Sequence, residues 1–270
     1  MKNIIMGTMI MIIGLLGLTS CSKDSNDTPD VKTFVLVHGA FQGPYAWQFV
    51  KADLERRGQN VVVVELPGHG TDVTNPATVN IDVYRDKVIA AINLIPGKVV
   101  LVGHSMGGMV VSATAEKIPQ KIEKLIFIGA FVPANGQSIL QLAATDQSSL
   151  FGPALIPSSD QLSLGMKLTD LAPVFCADGS DAVKQLLIAN YRSEPSIPFG
   201  SVATITAAKF GSVDKYYIYT SKDMAIGLAN QQRMAKSAGI TKVYTIESSH
   251  CPFLSKPDEL TTILIDIIKN

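Results

Sequence analysis

The sequence carries no net charge: 23 Lys+Arg balance 23 Asp+Glu across 270 residues. Without a basic excess there is no electrostatic reason to expect a nucleic-acid partner, nor broad attachment to anionic lipid. Charged residues make up only 17% and hydrophobic residues 47%, which argues against a disordered chain and suits one large domain with a full core. Cysteine is scarce. Cys21, Cys176 and Cys251 are too few for a disulfide framework. There is no internal repeat and no low-complexity tract. Neither a G-x-G-x-x-G pattern nor a P-loop accompanies the glycines. Histidine is scarce too, with four: His38, His69, His104 and His250.

The first twenty residues differ from the rest. Lys2 is the only charge ahead of an apolar run from Ile4 to Leu18, which reads as the core of a signal peptide (1–20) and not as part of the fold. The run ends in Leu18-Thr19-Ser20-Cys21. That segment resembles the lipobox of bacterial lipoproteins, where a peptidase cuts before the cysteine and its sulfur takes a diacylglyceryl group. The resemblance implies lipidation at Cys21, a membrane partner through that N-terminal anchor, and a place in a bacterial cell envelope, at the outer membrane or the periplasmic face. Burying acyl chains contributes about 0.8 kcal/mol per methylene, enough for two or three chains to hold a protein on a bilayer. The alternative is a plain transmembrane anchor. The small residues before Cys21 and the polar stretch after it favour the lipobox. Residues 21–31 then read as a flexible tether. The sequence leaves open whether Cys176 and Cys251 are bridged.

From Lys32 onward, short β-branched runs recur: Thr33–Val37, Val61–Glu65, Lys98–Val102, Lys124–Ile128, Tyr216–Thr220 and Thr241–Ile246. Their apolar residues run on without alternating, as in strands buried on both faces. Helical patterns separate them. Ile81, Tyr84, Val88, Ala91, Ile92 and Ile95 share one face at a 3.6-residue period, and Pro96-Gly97 stops that helix. Another helix runs from Met106 to about Lys117. This alternation implies an α/β domain over 32–270, with a mainly parallel six-stranded sheet and helices on both faces. The pattern breaks over about 132–210, a proline-rich stretch that reads as short helices and loops. Its apolar residues, among them Phe151, Leu155, Met166, Leu171 and Phe175, must cover something, so it reads as a helical cap insertion over a site in preference to an ordinary surface excursion.

The strongest motif is Gly103-His104-Ser105-Met106-Gly107-Gly108, placed between a strand and a helix. That is the setting of the G-x-S-x-G nucleophile elbow, in which a sharp turn lifts a serine hydroxyl clear of the sheet. A serine hydroxyl needs a base. His104 adjoins the serine and should point elsewhere, while His38 and His69 sit on early loops beside glycines. His250 follows the last strand, at the sheet edge where ligands of such folds bind. The acid should come from the end of a strand lying between Ser105 and His250 in sequence. Asp223 fits, with Glu247 as a competitor and helix capping as its alternative role. The oxyanion donors expected are the N–H groups of Met106 and Ala40, the latter in the loop His38-Gly39-Ala40-Phe41.

Together, the segments FVLVHGAFQGPYAW, VELPGHGTD, VLVGHSMGGMV, PQKIEKLIFIGAFVP, FGSVDKYYIYTSKDMAI and SSHCPFLSKP resemble one branch of the α/β-hydrolases, the plant methyl esterases and hydroxynitrile lyases with their bacterial relatives. The resemblance spans Lys32 to the C-terminus. It implies the α/β-hydrolase fold, the triad Ser105, Asp223 and His250, oxyanion donors Ala40 and Met106, no metal and no organic cofactor. Lyases of the branch carry Thr after the first loop histidine and Lys after the catalytic one. Here those places hold Gly39 and Cys251. The expected function is therefore hydrolysis of small, largely apolar carboxylic esters through an acyl-enzyme, with a small-molecule ester as partner. The alternatives are lyase-like or carbon–carbon cleavage, or a non-catalytic small-molecule-binding protein on the same fold.

Overall fold

Unbroken valine and isoleucine runs make the centre of the molecule. Apart from Met1, the residues described by the structure, a computed structural model, are 31–270. The rest of the expected signal segment, Cys21 and the tether up to Asp30 lie outside the described residues. The chain passes through β1 (Thr33–Val37), α1 (Gln48–Arg56), β2 (Asn60–Val64), α2 (Ile81–Asn93), β3 (Val99–His104), α3 (Gly107–Lys117) and β4 (Ile122–Ile128). An insertion follows, with α4 (Ile139–Ala143), α5 (Phe151–Ala154), β5 (Ile156–Pro157), β6 (Ser163–Gly165), α6 (Leu168–Phe175), α7 (Asp181–Ala189), β7 (Glu194–Pro195) and α8 (Ile197–Gly200). The chain then returns through β8 (Lys215–Thr220), α9 (Leu228–Ser237), β9 (Lys242–Ile246), α10 (Pro252–Ser255) and α11 (Pro257–Lys269).

Six strands form one sheet in the order β2-β1-β3-β4-β8-β9, every neighbouring pair parallel. The order reverses direction after β2. Right-handed crossovers on either side of that reversal send helices to opposite faces. Accordingly α1 packs with α11, and α2 with α3. The reversal point, at the carboxyl ends of β1 and β3, is where open α/β sheets bind ligands. Val37 lies opposite Gly103, and His104 opposite Ile128. The chain therefore leaves β1, β3 and β4 at one level, which brings His38, Ser105 and Gly129 to the same edge.

The expected strands recur with small changes at their ends. The largest is in β3, which keeps Gly103 and His104 in the ladder with β4, so that the turn begins at Ser105 itself. The insertion differs in kind. Besides short helices it holds a three-stranded antiparallel sheet, β5-β6-β7. Strands of two or three residues, with Pro157 and Pro195 among them, carry no period by which to recognise them. Of the apolar residues of the insertion, Phe151, Met166, Leu171, Val174, Phe175 and Phe199 are buried and Leu155 is half-buried, while Leu140, Leu150, Ile156, Leu168 and Ile197 are exposed.

Candidate active site

The turn after β3 is built by close packing. Ser105 takes φ +54°, left-handed backbone that an L-residue adopts only when its surroundings enforce it. The enforcement is visible at the glycines. A Cβ on Gly103 would lie 2.6 Å from Val111 and 2.7 Å from the Gly107 carbonyl oxygen, and one on Gly107 would lie 2.8 Å from the carbonyl oxygen of His38. Strand, helix and the β1 loop therefore meet at distances that admit no side chain. Gly108 is equally constrained, with Phe131 O 2.4 Å from where its Cβ would sit. Hydrogen bonds fix the turn from the β4 side: the Phe131 amide donates to Ser105 O at 3.0 Å. Tyr217 on β8 holds that neighbouring loop, its hydroxyl bonding both Ala130 N (2.8 Å) and Ala130 O (2.7 Å).

His250 and Asp223 come together beside this turn. His250 Nδ1 donates to Asp223 Oδ2 at 2.7 Å, and both side chains are buried. The same oxygen accepts from Thr220 Oγ1 at 2.7 Å and Gln231 Nε2 at 3.3 Å. The other oxygen accepts from the amides of Ala225 and Ile226, each at 2.8 Å. This donor set suits an ionised carboxylate and fixes its plane. Asp223 thus both caps the turn ahead of α9 and orients the histidine. Glu247 takes no part. It is exposed and lies 2.5 Å from Lys222 Nζ. With Nδ1 committed to Asp223, the second ring nitrogen of His250 is the unprotonated one in the neutral ring. That Nε2 atom is buried and has no protein partner.

The β1 loop supplies Ala40, which is buried. Neither its amide nor that of Met106 donates to a loop or turn carbonyl among the described residues. Met106 stands at the N-cap of α3, where the helix points free N–H groups outward.

The alpha/beta hydrolase family model matches residues 34–262. The chain belongs to this family. Among its relatives are methylesterase 1 of Arabidopsis thaliana, 30% identical over 87% of this chain and 95% of the relative, and methylesterase 7 of the same plant, 29% identical over 89% and 98%. The crystal structure of polyneuridine aldehyde esterase is similar at a TM-score of 0.76 and 25% identity, covering 88% of this chain and 99% of that one.

The other three histidines of this hydrolase hold backbone. His38 donates from Nδ1 to Gly39 O (2.8 Å) and accepts at Nε2 from Leu66 N (3.3 Å). Burial drives it down to about 3, so it stays neutral. His104 turns away from the serine and bonds His250 O at 2.8 Å, its ring 4.4 Å from that of His250. Burial, and then the neighbouring His250, push it well below the usual range. A bond between the elbow and the backbone of the loop after β9 was not legible in the sequence, because its partners stand 146 positions apart with no local signal to join them. The same holds for Gln231, whose amide bonds Thr220, Asp223 and Ile226. Its position on α9, eight residues after Asp223, was the only clue. Cys176 and Cys251 are both buried free thiols. Burial raises Cys251 well above the usual range and Cys176 to about 12, which leaves both as thiols.

Aromatic rings cover the site. Phe175 of the cap lies 5.7 Å from the His250 ring. Phe41 meets Phe151, Phe175 and Tyr191, each at 6.0 Å. A cavity of about 340 Å³ opens at the rim, between Tyr45, Glu65, Thr71 and the cap residues Ala189–Arg192. It is not lined by Ser105 or His250.

Proposed function

We propose that this chain is a serine hydrolase that cleaves small, largely apolar carboxylic esters, with Ser105 as nucleophile, His250 as base and Asp223 as the acid that orients it. The observation that carries the reading is the buried His250–Asp223 pair, whose Nε2 has no hydrogen-bond partner among the described residues, together with a serine held at φ +54° in the strand-to-helix turn. Ser105 Oγ attacks the ester carbonyl while His250 Nε2 takes its proton. The oxyanion that forms is met by the N–H groups of Ala40 and Met106. Collapse expels the alcohol, which takes the proton from His250, and water activated by the same nitrogen then releases the acid. The aromatic cap supplies an apolar surface for the substrate and supports the choice of apolar esters.

Two positions favour hydrolysis over the lyase reaction of the branch. A Cβ on Gly39 would lie 2.7 Å from Ser105 Cβ and 2.8 Å from His104 Nδ1, which leaves no room for the threonine of the lyases. Cys251, where they carry lysine, is a buried neutral thiol accepting from Gln42 at 3.0 Å and offers no cation for departing cyanide. The test is turnover of p-nitrophenyl butyrate and of mandelonitrile on one preparation, with fluorophosphonate labelling. Wild type should hydrolyse the ester, release negligible cyanide and be labelled. Ser105→Ala should lose roughly 10⁴-fold of the ester turnover and all labelling. Label that persists in the variant, or faster cyanide release than ester hydrolysis, refutes the assignment.

For the N-terminus we propose lipidation at Cys21 and placement in a bacterial cell envelope, supported by the charge, the apolar run and the small residues before the cysteine. No helix among the described residues is long and apolar enough to cross a membrane.

A further inference from the structure

A second buried histidine–carboxylate pair lies on the other side of the β1 loop. Glu194, in the cap strand β7, is fully buried. Its Oε2 accepts from the Phe41 amide at 2.7 Å and lies 2.8 Å from His69 Nε2. The Tyr84 hydroxyl approaches Oε1 at 3.5 Å. His69 Nδ1 is 3.1 Å from Pro67 O. A carbonyl only accepts, so Nδ1 carries hydrogen. Nε2 faces a carboxylate oxygen that already accepts from Phe41, so it carries hydrogen as well. The pair is thus an imidazolium with a carboxylate, sealed between the cap and the domain. Buried charges persist only when paired in this way, and breaking such a pair is costly.

The carboxylate grips a particular amide. Phe41 follows Ala40, one of the two oxyanion donors in the mechanism above, and stands at φ +62°. For a phenylalanine that backbone is strained, so something must hold it. Glu194, 153 residues away in the chain, holds it with a charge-assisted bond. The ring of Phe41 packs on the cap aromatics Phe151, Phe175 and Tyr191. Arg192, two residues before Glu194, adds a clamp, donating to Gly70 O at 2.6 Å and Asp72 O at 2.8 Å.

We propose that Glu194 is a positioning residue for the oxyanion hole: it reaches from the cap to fix the Ala40–Phe41 peptide, so that the hole is complete only when the cap strand is seated. This rests on the acyl-enzyme reading above. It makes cap closure and assembly of the hole one event. It also gives the rate an alkaline limit. His69 is held protonated by Glu194, against burial and Arg192. The other groups facing the pair are Tyr84, whose ionisation is pushed far upward, and His38, which is neutral. When His69 loses its proton the buried carboxylate is left without its counter-charge, which disfavours the seated cap strand that carries Glu194.

The experiment compares full chains of wild type, Glu194→Ala, Glu194→Gln and Ser105→Ala in mild detergent. It measures kcat and KM on p-nitrophenyl butyrate from pH 5 to 10, the rate of fluorophosphonate labelling, and folding by circular dichroism. Glu194→Ala should fold and lose roughly 10- to 100-fold in kcat and in labelling rate, with KM changed less than about threefold. Glu194→Gln, whose amide oxygen can still accept from Phe41, should recover part of the rate and lack the alkaline decline expected of wild type. A folded Glu194→Ala with wild-type kcat and labelling, or a loss confined to KM, overturns the proposal. If Glu194→Ala does not fold, Glu194→Gln decides: an unchanged kcat and pH profile overturns it, and a lowered kcat with an altered alkaline limb supports it. A wild type that neither turns over ester nor takes label refutes the acyl-enzyme reading, and this inference falls with it. An active wild type with indifferent Glu194 variants refutes the inference alone.

Discussion

Asp223 shows how much one side chain can be asked to do. Its two oxygens accept from two amides, a hydroxyl, a carboxamide and the His250 ring. Removing the negative charge while keeping the shape isolates the orienting role. Asp223→Asn presents either an oxygen or an N–H₂ group to His250 Nδ1. Gln231 and Thr220 already donate towards Oδ2, but the amides of Ala225 and Ile226 demand oxygen on the other side, so the N–H₂ group falls toward the histidine. That favours the tautomer with hydrogen on Nε2, which cannot take the serine proton. The expected outcome is a kcat loss of roughly 10⁴-fold with folding retained, measured by ester turnover together with a thermal melt. Loss of less than tenfold would show that the His250–Asp223 bond does not set the tautomer.

At the scale of the element, α3 decides the geometry of the site. Every residue from Gly107 to Glu116 is buried, so the helix has no solvent face and cannot rotate or slide to relieve a clash. Its C-terminal turn is anchored as well: Glu116 accepts from Thr206 N at 2.8 Å, Thr206 Oγ1 at 2.9 Å and Phe210 N at 3.2 Å, tying the helix to the segment that leads into β8. Strain introduced at the N-terminus therefore passes to the partner of the clash, the end of β1. Gly107→Ala would press on the carbonyls of His38 and Val37, 2.8 and 2.9 Å away, immediately before Ala40. It should cost about 2 kcal/mol of stability and a disproportionate share of activity, at least tenfold in kcat. Chemical denaturation set beside ester kinetics checks this. A variant destabilised but fully active when folded would show that the β1 loop tolerates the push.

For the whole molecule, the buried histidines predict how stability follows pH. His38, held near 3, and His104, held well below its ordinary 6.5, stay neutral in the folded state. The unfolded chain binds protons at both sites as pH falls through about 6.5. The stabilisation they provide is thus present above that value and lost progressively below it, each site contributing up to about 1.4 kcal/mol per pH unit. His69 acts in the opposite sense. Its raised value favours the folded state below about 6.5, and that contribution fades as pH climbs through the folded value. Two sites outweigh one on the acid side, so the melting temperature should fall between pH 6.5 and 4, and His38→Gln should flatten the slope. An unaltered slope in that variant argues against His38 titrating on unfolding. At the N-terminus, Cys21→Ser should abolish incorporation of labelled palmitate and leave an unprocessed precursor. Equal label in both chains disproves lipidation there.

Sequence and tertiary structure each determined a separable part of this protein. The strands, the principal helices and the elbow were legible because their signals are local. Runs of β-branched residues mark strands buried on both faces, a 3.6-residue stripe marks α2, and glycines around Ser105 mark a turn with no room for side chains. The placement of Ser105, Asp223 and His250 just past strand ends was legible as well, because parallel strands end at one edge. Only the tertiary structure decided which groups serve those three. His104 holding the His250 carbonyl, Gln231 bracing Asp223 and Glu194 gripping Phe41 join residues 146, 8 and 153 apart. The three short strands of the cap belong with them. Such partners are chosen by where the fold brings polar groups that burial forbids to stay unpaired, and no spacing along the chain records that choice.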